Sequence, residues 1–185
     1  MTALAKPYRT EELGTGRLDI FPIPAEETVL LKAFEEIFRN HWSEIHFGYL
    51  VQGAAFEAKA PGPPQRIGVM KGYLTVDFGA WHFHVCIGAY KDKDPELSRI
   101  RPTARAELYR TLKADDTPGS WGLRLFNGRG EHQFQVFLPH PFLSPDQQIE
   151  AEPSWERLAL WDKLRARLLG LAPDPVDRAA TGVRH

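Results

Sequence analysis

Residues 73–88 read Tyr73-Leu-Thr-Val-Asp-Phe-Gly-Ala-Trp-His-Phe-His-Val-Cys-Ile-Gly88. Large apolar side chains alternate with polar or titratable ones on both sides of Gly79-Ala80. Side chains in a strand point to opposite faces in turn. A two-residue type II′ turn needs φ > 0 at its first position, which glycine supplies at Gly79. Closing the ribbon there pairs Phe78 with Trp81, Asp77 with His82, Thr75 with His84 and Tyr73 with Cys86. One face then carries Leu74, Val76, Phe78, Trp81, Phe83 and Val85, and the other carries Tyr73, Thr75, Asp77, His82, His84 and Cys86. A register that sorts both strands so cleanly is strongly specified.

Outward from this ribbon the chain reads as alternating strands and amphipathic helices. Residues 1–16 read as an N-terminal arm and 17–23 as a strand. Pro24, Glu26 and Glu27 suit a helix start, and Leu30, Phe34, Ile37, Phe38 and His41 recur at helical spacing, predicting a helix over 24–41. Ile45, Phe47, Tyr49 and Val51 alternate, and a turn at Gln52-Gly53 continues their apolar face through Ala54, Phe56 and Ala58. Residues 60–65 (APGPPQ) are a stiff loop, 66–78 return to strand, and 91–101 form a charged loop. Ala104, Leu108 and Leu112 predict a shorter helix over 102–112. A hairpin follows across Asn127-Gly-Arg-Gly130, then irregular chain, then a helix over 153–170 stopped by Gly170. The order predicts an α+β fold with a mainly antiparallel β-sheet, three helices on one face and a polar open face. It makes one domain over 17–170 and a loose tail over 171–185.

Composition limits the function classes. The 185 residues hold 23 Lys and Arg against 24 Asp and Glu, so no strong field attracts nucleic acid or an anionic membrane. A single cysteine excludes an internal disulfide and fits a reducing, cytoplasmic setting. No apolar run approaches a membrane span of about 20 residues, and no signal-peptide pattern opens the chain.

The polar face of the 73–88 ribbon is the candidate site. His82 and His84, at i and i+2, stand about 7 Å apart at Cβ by strand rise, and their side chains can converge on one ion at about 2 Å per bond. Imidazole donors select zinc, iron or nickel, with copper in the same class. His46 is the natural third ligand, because it falls on the polar face of its own strand. Asp77, Cys86, Tyr73 and Thr75 are supporting groups, with Asp77 placed to orient one imidazole. Lys59, opposite His46 across the Gln52-Gly53 turn, opposes a cation there. His41, His132, His140 and His185 are weaker candidates. The first reading is therefore a small protein binding a transition metal, with a metal-dependent activity left open.

The segment His82-Phe-His-Val-Cys-Ile-Gly88 partly resembles the histidine-triad nucleotide hydrolases and transferases, whose strand alternates three histidines with apolar residues. The resemblance implies a nucleotide or phosphoryl-transfer enzyme without metal, with His84 as the nucleophile. Cys86 stands where the family has its third histidine. A third reading is a non-catalytic interaction protein whose polar strand face meets a partner or a second copy, forming a homodimer. Arg99, Arg101, Arg105 and Arg110 read as a solvated helix face. Arg124, Gln133 and Gln135 share a polar strand face.

Overall fold

The computed structural model describes residues 5–183. His185 lies outside them. The fold is α+β with mainly antiparallel sheets. Its strands are β1 (Tyr8–Glu12), β2 (Gly16–Ile23), β3 (His46–Val51), β4 (Ala54–Ala58), β5 (Arg66–Met70), β6 (Tyr73–Asp77), β7 (His82–Cys86), β8 (Thr103–Leu112), β9 (Pro118–Asn127) and β10 (His132–Phe137). Its helices are α1 (Glu27–Asn40), α2 (Pro95–Ile100) and α3 (Ala159–Leu169). Seven strands form a sheet in the order β1-β2-β8-β9-β10-β3-β4, and β5-β6-β7 form a second sheet. The described chain divides into two compact units. One holds residues up to Ile23, Glu107–Leu123 and the chain from Phe137 onward; the other holds Pro24–Ala106 and Arg124–Val136.

The ribbon at 73–88 forms with the expected register: Tyr73 pairs with Cys86, Thr75 with His84 and Asp77 with His82. Gly79 adopts φ 85°. Phe78 N donates to Trp81 O at 3.0 Å, closing the turn. The strand expected over 66–78 is instead two strands. Lys71 and Gly72 both have positive φ, 51° and 82°, the geometry of a type I′ turn. That turn pairs Met70 with Tyr73, Gly68 with Thr75 and Arg66 with Asp77.

Residues 102–112, expected as a helix, are strand β8. All of it is buried except Ala104 and Arg105. A spacing of four is also an even number, so Ala104, Leu108 and Leu112 share one face of a strand as well as one face of a helix. Covered on both faces, the strand loses the polar alternation that would have marked it. The short helix of this region is α2, inside the stretch expected as charged loop, with Asp94 Oδ1 accepting from Glu96 N at 2.8 Å as its cap. Strand β1 falls within the N-terminal arm and pairs with β2, Tyr8 opposite Ile20 and Thr10 opposite Leu18.

In the unit that holds β3 to β7, the core is aromatic. Phe38 of α1 lies 4.9 Å from Phe47 and 5.4 Å from Phe83 between ring centroids. Phe83 stacks on Phe134 at 4.8 Å. The apolar face of β3 and β4 has the expected register, Tyr49 opposite Phe56, but only its Ile45 and Phe47 end is buried. Tyr49, Val51 and Phe56, toward the turn end of the β3–β4 hairpin, are exposed.

In the other unit, Asp177 is fully buried. It accepts from Trp121 Nε1 and Trp161 Nε1, both at 2.8 Å, and from Arg110 Nη1 at 3.0 Å. Arg110 therefore lies inside an ion-pair network and not on a solvated helix face. The tail beyond Leu171, where composition predicts loose chain, carries this carboxylate on a 3-10 turn at Pro175–Ala179. No helix among the described residues is long and apolar enough to cross a membrane.

Candidate functional site: the outer face of β5–β6–β7

The two turns generate a three-by-three grid of side chains on one face. Its rows are Arg66–Asp77–His82, Gly68–Thr75–His84 and Met70–Tyr73–Cys86. The opposite face carries Ile67, Leu74, Val76 and Val85, all buried. Nothing lies within 4 Å of the space a side chain at Gly68 would fill, which leaves a shelf beside Thr75.

His82 and His84 are exposed, and their rings converge. The ring centroids are 4.8 Å apart at an interplanar angle of 65°, although strand rise separates the Cβ atoms by about 7 Å. Thr75 Oγ1 lies 2.8 Å from His84 Nδ1. When that nitrogen carries the proton, Nε2 is left with its lone pair facing outward.

The supporting residues behave differently from one another. Asp77 accepts from Gly79 N at 2.9 Å and faces Arg66 at 3.8 Å. It caps the turn instead of orienting His82. Cys86, expected on the open face, is only 3% exposed. Burial pushes its thiol up, against the lowering effect of Gly88 and Arg101, which disfavours the thiolate that a metal would bind. Tyr73 packs edge-on against Tyr90 at 5.3 Å, and burial raises its phenol. Arg101 donates to Tyr90 Oη at 3.0 Å and to Asp92 at 3.1 Å, closing that end of the face.

His46 is not brought to the pair. Phe47 packs on Phe83, with centroids 5.3 Å apart. His46 precedes Phe47 in β3 and points the other way, while His82 and His84 flank Phe83 and point away from Phe47. The packed aromatic layer stands between them. Burial lowers the His46 imidazole, and Lys59 lowers it further, as the Gln52-Gly53 register implies. Among the described residues, no group of three or more His, Cys, Asp and Glu side chains is arranged to hold a metal ion. His140 is a structural histidine: Nδ1 accepts from Phe142 N at 3.0 Å and Nε2 faces Gly119 O at 2.9 Å. His132 accepts from Leu50 N through Nδ1 at 3.3 Å.

The contributions of Arg66, Gly68 and Met70 escape a reading of 66–78 as one strand. The signal that places them is the Lys71-Gly72 dipeptide, which divides the run into two strands.

Fold and face together define an α+β protein with an imidazole-bearing sheet face. The chain belongs to the family of unknown function DUF7676, which it matches over residues 7–170. No curated protein matches it in sequence. Among solved structures it is similar to the crystal structure of ChuX, at 12% identity and TM-score 0.48, over 83% of this chain and 78% of that one. A second structure, described as the heme binding protein ChuX, aligns at 13% identity and TM-score 0.49, over 80% and 77%. A protein from Agrobacterium tumefaciens aligns at 14% identity and TM-score 0.46, over 85% and 73%.

Proposed function

We propose that the outer face of β5–β6–β7 binds a first-row transition metal, as an ion or as a planar chelate, through His82 and His84. The observation that carries this reading is the convergence of two exposed imidazoles, 4.8 Å between centroids, with one of them oriented by Thr75. Imidazole nitrogen favours zinc, nickel, copper or iron over magnesium or calcium. With the Cys86 thiol buried and Asp77 engaged at the turn, the donor set of one chain is two nitrogens. A metal held this way keeps coordination positions open for water or a second ligand.

The test is titration of untagged protein with zinc, with nickel and with hemin, whose iron brings four ring nitrogens and takes axial imidazole. Calorimetry reads the ions and visible absorbance reads hemin. The wild type is expected to bind at least one of the three, and His82→Ala/His84→Ala to lose that binding. Equal binding by both proteins overturns the assignment.

A further inference from the structure

We infer that a second copy of this chain completes the imidazole site, by pairing with β7 edge to edge so that one metal ion sits among His82 and His84 of both copies. The inference rests on the metal-binding reading above and adds the partner.

One chain lacks donors. Zinc takes four ligands in a closed site, whereas one chain offers two imidazoles on this face. His46 lies beyond the Phe47–Phe83 layer, and Cys86 is buried.

Protein donors that complete the set can be seated beside β7, because β7 is an edge strand of its sheet. Phe78 N donates to Trp81 O at 3.0 Å and Ile87 N to Gly72 O at 2.9 Å. In an antiparallel ladder, alternate residues face the paired strand and those between face away. Trp81, Phe83, Val85 and Ile87 therefore bond β6, and His82, His84 and Cys86 direct their N–H and C=O groups to the open edge. At one end the edge is closed: Thr103 Oγ1 and Gln133 Nε2 donate to Cys86 O at 3.0 and 3.4 Å. At the other end it stops at the Gly79-Ala80 turn. Among the described residues, the stretch of this edge left without a partner is His82 to His84, and Trp81 and Phe83 within and beside it are only half-buried. No lysine or proline guards it, the usual protection of an edge.

This stretch is symmetric about Phe83. A twofold axis there sets His82 opposite His84 of the second copy, and His84 opposite that copy's His82. Each facing pair exchanges two backbone hydrogen bonds. Residues facing each other across an antiparallel pair share a face, with Cβ atoms about 5 Å apart. Along the strand the spacing is about 7 Å. Four imidazoles then form one block of a size that can surround an ion at about 2 Å per bond.

The experiment adds zinc to the full chain in steps from half to two equivalents, removes unbound ion, and measures three quantities: mass by sedimentation, bound zinc by elemental analysis, and exchange of the His82 and His84 amides by NMR. The expected result is a doubled mass, one zinc per two chains and slowed exchange at both amides. His82→Ala/His84→Ala, whose folding circular dichroism checks, is expected to stay monomeric with zinc. One zinc per chain at unchanged mass would overturn the pairing and leave the imidazole site standing. A dimer whose His82 and His84 amides still exchange freely also overturns it. Absence of binding to zinc, nickel and hemin overturns both.

Discussion

Thr75 Oγ1 sits 2.8 Å from His84 Nδ1, across the paired strands β6 and β7. The cross-strand register creates this bond, and the bond decides which imidazole nitrogen faces outward. Groups that orient a ligating histidine typically account for 10–100-fold in metal affinity. Thr75→Val keeps the β-branched shape and removes the hydroxyl. Its affinity for the metal bound by the wild type is expected to fall by about tenfold or more, with the denaturation midpoint nearly unchanged. Unaltered affinity in titration calorimetry would remove Thr75 from the site.

The two faces of β7 predict different costs of truncation. Phe83 contacts Phe38, Phe47 and Phe134. Phe83→Ala is expected to cost about 3 kcal/mol, the low end for a phenylalanine because the ring is half-buried. His84→Ala removes an exposed ring and is expected to cost under about 0.5 kcal/mol. Urea denaturation of both variants checks the pair, and similar losses would contradict the face assignment.

Asp177 ties the C-terminal tail to its own unit by accepting from Trp121, Trp161 and Arg110. Removing one partner of a buried ion pair leaves uncompensated charge, at a cost of about 3–5 kcal/mol. Asp177→Ala is expected to lose stability on that scale and to change the fluorescence of Trp121 and Trp161. A variant as stable as the wild type would mean that the tail is dispensable.

Acid should weaken the fold in two stages. Burial lowers the imidazoles of His140 and His46 in the folded state. The unfolded chain then binds more protons at these sites, so stability falls as pH drops below the unperturbed value of about 6.5. His140 cannot accept a second proton without setting Nδ1–H against Phe142 N–H. A second loss follows at lower pH. Although burial alone would raise Asp19 and Asp174, Arg110 together with Arg9 at Asp19 and the Val176 N–H at Asp174 holds both carboxyls below their usual range. Their contribution is present above the unfolded carboxylate value of about 4 and is lost as pH falls through the depressed folded values. Melting temperature measured from pH 8 to pH 3 tests this. His140→Gln should shrink the first stage to the part that His46 contributes and leave the second, and an unchanged first stage would exclude His140 as a cause.

What repeats locally was legible in the residues alone. Alternation about Gly79-Ala80 set the pairing of Thr75 with His84 and Asp77 with His82, and the Gln52-Gly53 turn set Lys59 against His46. The 3.6-residue period marked α1, and the apolar run before Gly170 marked α3. A local period identifies a face but not what covers it, and that limit explains the rest. In β8 a spacing of four suits helix and strand equally, and cover on both faces removed the alternation that would have separated them. Only tertiary packing decided that Phe47 meets Phe83, which sends His46 away from His82 and His84. The same packing buried Cys86 and drew Asp177 from a proline-rich tail to two indoles and a guanidinium. Contacts between residues far apart in the chain depend on which faces exclude water together, and no short window of sequence contains that information.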